Sequence, residues 1–259
     1  ALLACCSTPR PSTFRSPTAR NPGTIFAALD LPGPNAIRNG AGAPGPDYWQ
    51  QRADYDIQAS FDAETRTITG TAKVRYTNNS PDPLDYLWLH LEQNVFREDS
   101  LGAQLGRRGA IAMNRSEGAG VTVTRVSDSN GQPLPLTVYD TLGRLDLPTP
   151  LGAQGELLAF EIDWSFVLPE KVFRRFGIEQ VEQGTIYQVA QWFPAMAVYD
   201  DVHGWNTLPY LGTGEFYTDF GDYELALTLP RSMVAVATGD LANPQDVYTA
   251  AQQQRLTLA

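Results

Sequence analysis

The run Gln188 to Thr207, QVAQWFPAMAVYDDVHGWNT, gathers two Trp, a Phe, a Tyr, two Asp and a His in a stretch that follows neither strand nor helix spacing. Three kinds of chemistry could use such a set. His203, close to Asp200 and Asp201, could serve as a general base oriented by a carboxylate. Paired acids, Asp200 with Asp201 or Asp219 with Asp222, could flank a glycosidic bond. The aromatic residues around Gln191 could instead line a binding pocket that carries few polar groups.

Counting residues prunes these options. The chain has two histidines, His90 and His203, followed by Leu91 and Gly204. A zinc hydrolase of the H-E-x-x-H type needs two imidazoles one helical turn apart with a Glu beside them, so that motif is absent. A Ser-His-Asp site would have to use one of the same two histidines, and no G-x-S-x-G elbow precedes a helix. A lone loop His more often makes surface hydrogen bonds, and turn Asp residues accept backbone N–H groups for structural reasons alone. Asp128-Ser129-Asn130-Gly131 reads as a hairpin turn and lacks the ligand spacing of a calcium loop. The glycines of GTGEF lack the strand-to-helix context of a phosphate loop. Cys5 and Cys6 are the only cysteines, which excludes a disulfide framework and a thiolate metal site from the folded part.

The formal charge of −10 argues against nucleic acid as a partner, because phosphate binding needs clustered Lys and Arg. The 42% of hydrophobic residues among 259 can fill a core, and no run is long and apolar enough to span a bilayer. ALLACCSTPRPS resembles the tail of a bacterial lipoprotein signal, with Leu2-Leu3-Ala4 before an acylated Cys5; an ordinary secretory h-region followed by a linker is the alternative. Either reading implies export, to the periplasm or to a membrane through a lipid anchor. The start at Ala1 and the stop at the alternating QQQRLTLA read as those of a fragment.

Ser7 to Pro46 is rich in Pro, Gly, Ser and Ala and reads as an extended or disordered linker. The division expected is therefore 1–46, signal remnant and linker, and 47–259, a β domain truncated at its C-terminus. Period-two patterning begins after Asp47. In ADYDIQASFD, Tyr55, Ile57, Ala59 and Phe61 share a face, and in RTITGTAKVRYTNNS, Ile68, Ala72, Val74 and Tyr76 do. PLDYLWLHLEQNVF is apolar on both faces, which predicts a central strand covered on both sides with His90 in the core. Arg97 to Gly120 lacks periodicity and reads as a loop, partly helical. VTVTRVS, PLPLTVYD, RLDLP, GELLAFEIDWSFVLP, GDYELALTLP and MVAVATGDL read as further strands. The fold class expected is all-β, an antiparallel multi-stranded sandwich or saddle.

The run Tyr187 to Pro230 with the following MVAVATGDL resembles the N-terminal β domain of bacterial zinc metallopeptidases of the membrane alanyl aminopeptidase and leukotriene-A hydrolase family. DLPGPN, GAPGPDYWQQRADYDI, ITGTAKVRYTNNSPDPLDYLWLHLEQNVF and SFVLPE are similar to earlier strands of the same family. The resemblance implies a β saddle packed on a catalytic domain that carries G-x-M-E-N and H-E-x-x-H. Neither motif occurs here, so it implies an inactive fragment whose full-length parent is a zinc-dependent aminopeptidase acting on peptides. It further implies that Gln191 stands where the family places a Gln of a Q-x-E or Q-x-Q pattern at the pocket for the substrate's first residue. Phe193 stands where the second polar residue would be and suggests an apolar lining. A reading from another class stays open: a non-catalytic β-sandwich module of a surface lipoprotein that binds peptide or carbohydrate through its aromatic loop.

Overall fold

The computed structural model describes residues 33–105, 118–172, 175–214 and 216–257. Cys5, the lipoprotein-like start and most of the linker lie outside the described residues. The chain divides into two units, Ala1–Tyr48 and Trp49–Ala259. In the first, residues 35–48 form a small hydrogen-bonded turn. Asn35 Oδ1 accepts the N–H groups of Ile37 and Arg38, and Asn39 Oδ1 those of Ala41 and Ala43. Side-chain amides that mimic turn backbone explain how so Gly-rich a stretch becomes ordered.

The second unit is mostly antiparallel β-sheet, with little helix and no closed barrel. One sheet contains β1 (Arg52–Asp62), β2 (Thr67–Asn78), β4 (Thr122–Asp128), β7 (Glu156–Val167) and β13 (Tyr223–Thr228), in the order β13-β1-β2-β7-β4. The other contains β3 (Leu84–His90), β5 (Leu136–Tyr139), β6 (Leu142–Leu151) and β10 (Ala195–Met196), in the order β10-β3-β6-β5. Side chains from both sheets share one core, from Ile57, Val74 and Ile162 to Leu87, Leu89 and Leu145. Two hairpins complete the strands: β8 (Gly177–Val181) with β9 (Gly184–Gln188), and β11 (Tyr199–Asp200) with β12 (Gly204–Trp205). The pairing of β1 with β13 is parallel, an exception to the antiparallel pattern.

The alternation read in β1, β2 and β7 is the burial pattern observed, with Tyr55, Ile57, Ala59, Ile68, Ala72, Val74, Tyr76, Phe160, Ile162, Trp164 and Phe166 inside. Trp164 lies opposite Gly70 in the β2–β7 register. A Cβ on Gly70 would sit 2.5 Å from the indole, so the absent side chain is what gives the ring its place.

The Asp128–Gly131 hairpin turn forms as expected, with Asp128 N–H donating to the Gln132 carbonyl, Leu134 N–H to the Val126 carbonyl and an antiparallel bridge between Ser127 and Pro133, before the chain passes to β5 in the other sheet. Two expectations need correction. β3 is covered on one face only: Leu87 and Leu89 are buried, while Asp85 is exposed and Tyr86 and Trp88 are half-buried. MVAVATGDL forms no strand: β13 is the sheet edge, no described strand lies beyond it to pair, and Val236 is 89% exposed. The alternating C-terminal run is helical. Besides α1 (Leu101–Leu105) and α2 (Pro244–Val247), α3 spans Ala250–Thr257. The Thr249 hydroxyl accepts the Gln252 N–H while Gln252 Oε1 accepts the Thr249 N–H, a capping box that outweighs the alternation.

Candidate functional site

The aperiodic run is irregular because side chains from distant strands hold its backbone. Gln93, 1% exposed in the 3₁₀ turn Glu92–Phe96, donates from Nε2 to the carbonyls of Ala190 (3.1 Å) and Gln191 (3.4 Å). Trp164 Nε1 donates to the Trp192 carbonyl at 3.1 Å. The Met196 N–H donates to the Tyr55 hydroxyl at 2.8 Å, and β10 pairs antiparallel with the end of β3 through Ala195 and His90. The carbonyls of Ala190, Gln191 and Trp192 and the N–H of Met196 are thereby met. Gln93, Trp164 and Tyr55 are the functional supports that local sequence reading missed. A polar triplet, Glu92-Gln93-Asn94, set between Leu91 and Val95 is the signal that could have marked Gln93.

Gln191 has φ +43°, a left-handed backbone that costs a non-glycine residue free energy, and its Oε1 is buried without a hydrogen-bond partner. The strain is kept because the clamps on either side fix the chain's path. Phe193 is half-buried in a ring cluster, with centroids 5.5 Å from Tyr55, 5.4 Å from Trp192 and 6.2 Å from Tyr223. Gln191 and Phe193 are thus neighbours in sequence with different surroundings, one carrying an unmet acceptor and the other packed among aromatic rings.

His203 is exposed, its Nδ1 3.9 Å from Asp200 Oδ1. That same oxygen accepts the N–H groups of Val202 (2.9 Å) and His203 (2.7 Å), the turn role open to any Asp, and Oδ2 accepts from the Tyr217 hydroxyl at 3.2 Å. Asp222 is exposed and paired with Arg52 at 2.7 Å. Asp219 differs: its Oδ2 is buried without a partner, and burial, with the charge of Asp200 second, pushes its carboxyl up to about 7. Trp205 and Tyr199 pack at 5.1 Å, and Trp205 stacks on Tyr76, so these rings fill the space between the β11–β12 hairpin and β2.

Among the described residues no group of three or more His, Cys, Asp or Glu side chains is placed to hold a metal ion. No described helix is long and apolar enough to cross a membrane.

No family model and no curated protein matches the chain. It is similar to solved structures. A mutant M1 zinc metallopeptidase from Deinococcus radiodurans, bound to a Tyr-Ser-Ala substrate, is 17% identical with a TM-score of 0.39, over 74% of this chain and 35% of that one. The non-mutant enzyme from the same organism is 16% identical with a TM-score of 0.39, over 74% and 34%. A mutant two-domain M1 zinc metallopeptidase bound to L-tryptophan is 16% identical with a TM-score of 0.41, over 76% and 37%. The chain spans about a third of the length of each.

Proposed function

We propose that this chain is the non-metal-binding β domain of a zinc-dependent peptidase that releases N-terminal residues from peptides, with Gln191 contributing a polar contact to the substrate's first residue. The observation that carries the reading is Gln191 itself. At the position where the sequence resembles the family's pocket Gln, the residue is held left-handed with an acceptor oxygen that no protein group meets. A free amine or an amide N–H of a peptide is the donor that such an oxygen lacks. The described residues offer zinc no set of ligands, so the metal and its general base would belong to a catalytic domain packed on this one. The reading includes export, with acylation at Cys5; incorporation of labelled palmitate, lost in Cys5→Ala, would support the anchor.

Three tests bear on the assignment. Coding sequence beyond Ala259 that contains G-x-M-E-N and H-E-x-x-H supports it, and a stop codon or an unrelated domain favours a binding module instead. The chain alone should not hydrolyse aminoacyl-arylamides, and hydrolysis without added protein would overturn the assignment. In the complete protein, Gln191→Ala is expected to lower kcat/KM about tenfold, the scale of one lost hydrogen bond to a charged group. Its melting temperature should stay close to that of the parent. A pure stability loss with unchanged kinetics would make Gln191 a scaffold residue.

A further inference from the structure

A second polar feature lies outside the Gln191 segment. Between the end of β3 and the loop 206–218 is a cleft of about 470 Å³, within the range of small-molecule sites, and neither Gln191 nor Phe193 lines it. His90 and Glu92 contribute to it from one side, and Leu208, Tyr210, Leu211 and Phe216 from the loop. The loop is fixed by the Tyr210 N–H donating to Thr141 Oγ1 (2.7 Å) and by the Asn206 N–H donating to the Val198 carbonyl (2.8 Å), so the walls are built and not merely draped.

Glu92 is only 6% exposed. Apart from its own backbone N–H, no donor or cation of the described residues meets its carboxyl, and burial pushes it up to about 7. His90 is 8% exposed and burial takes its imidazole down to about 4, so it stands neutral with one ring nitrogen free to accept. The other polar side chains of the lining are those of Asn206, Thr213, Thr218 and Tyr217, the last donating to Asp200. The Arg175 guanidinium is engaged over the Phe216 ring at 5.5 Å. Among the described residues the cleft therefore carries a buried carboxyl, a neutral imidazole and aromatic side chains, and no lysine or arginine lines it.

A buried carboxyl with no cation and no donor beyond its own backbone N–H is costly to ionise unless something supplies one. We propose that this cleft binds a primary ammonium group carried on an apolar stem, with Glu92 as its anionic contact, His90 as a neutral acceptor, and Leu208, Tyr210, Leu211 and Phe216 beside its stem. This goes beyond the peptidase reading and stands without it, since it concerns equilibrium binding by this chain and no turnover.

The test is calorimetric titration of the 259-residue chain with phenethylamine and with its neutral analogue 2-phenylethanol. The amine should bind saturably and about tenfold more tightly than the alcohol, the scale of one charge-assisted contact. It should release a proton near pH 7, read by comparing buffers of different ionisation enthalpy, because the ammonium favours ionised Glu92. Glu92→Gln, of the same shape, should lose that preference. Leucinamide and Nα-acetyl-lysinamide then distinguish an α-amine from a side-chain ammonium as the source. Equal affinity for amine and alcohol, absence of saturable binding, or an unchanged preference in a folded Glu92→Gln chain would overturn the proposal. Should that variant not fold, the amine-to-alcohol ratio and the proton release of the parent chain still decide.

Discussion

Trp164→Ala is expected to remove about 4 kcal/mol of folding free energy, a large share of the stability of a domain of this size. The indole is 1% exposed, among the largest fully buried side chains, and rests where Gly70 leaves room for it. Truncation would leave a cavity that the surrounding strands cannot close, because β7 is fixed in register between β2 and β4. It would also leave the Trp192 carbonyl without its donor. The measurement is a urea midpoint at unchanged slope, which separates lost stability from a changed unfolded state. Trp164→Phe divides the effect: it keeps most of the ring and loses the N–H, so it should cost about 2 kcal/mol. It should also speed amide exchange across residues 190–196, where the clamp acts. A Phe variant as stable as the parent, with unchanged exchange in that segment, would show that the hydrogen bond does not hold the Gln191 run. The reciprocal change, Gly70→Ala, should destabilise through the same contact from the other side.

This coupling explains what was legible in the sequence. β1, β2 and β7 are buried on alternate positions, and period two is a local signal, so their inward faces could be read directly. The turn at Asp128 was legible for the same reason, since Asp-Ser-Asn-Gly chemistry is local. Which strand the chain meets after that turn depends on the β7 and β6 partners, far away in sequence, and the turn chemistry says nothing of it. MVAVATGDL has strand composition but no available edge, so composition overstates it. At the C-terminus the Leu256 and Thr257 alternation masked the Thr249–Gln252 capping box, a helix signal that was present and outweighed it.

The candidate site divides along the same line. That Gln188 to Thr207 is special was visible because it has no period, and the resemblance singled out Gln191. The left-handed backbone and the unmet oxygen were not visible, since both follow from Gln93, Trp164 and Tyr55 reaching in from three other elements. Glu92 lies within PLDYLWLHLEQNVF, whose apolar pattern does not show what surrounds an acid there. It lines a cleft together with residues of 206–214 and 216–218, more than a hundred residues later in the chain. Exclusion fared differently: two histidines without H-E-x-x-H spacing are a matter of counting, which needs no geometry.

Asp219→Asn is expected to stabilise the chain at pH 8 and to change little at pH 4. The carboxyl lies beside Asp200 with Oδ2 buried and unpartnered, and burial first, then the Asp200 charge, raise it from 3.8 to about 7. Between those values the folded chain keeps a proton that the unfolded chain has released. Stability from this group is therefore full below about pH 4, declines as pH rises, and is lost above about 7. The gap corresponds to at most about 4 kcal/mol, and partial exposure reduces the expected gain on neutralisation to about 2 kcal/mol, or about 4–8 °C in Tm. Glu92 acts with the same sign, from 4.5 to about 7. His90 acts with the opposite one, because its folded value of about 4 lies below the unfolded 6.5 and stability from it grows as pH rises through that window. Comparing Asp219→Asn with the parent at each pH cancels both, leaving Asp219 alone in the difference. A Tm gain of equal size at pH 4 and pH 8 would mean that the amide acts through hydrogen bonding, and no gain at pH 8 would mean that solvent or a bound cation already relieves the carboxylate.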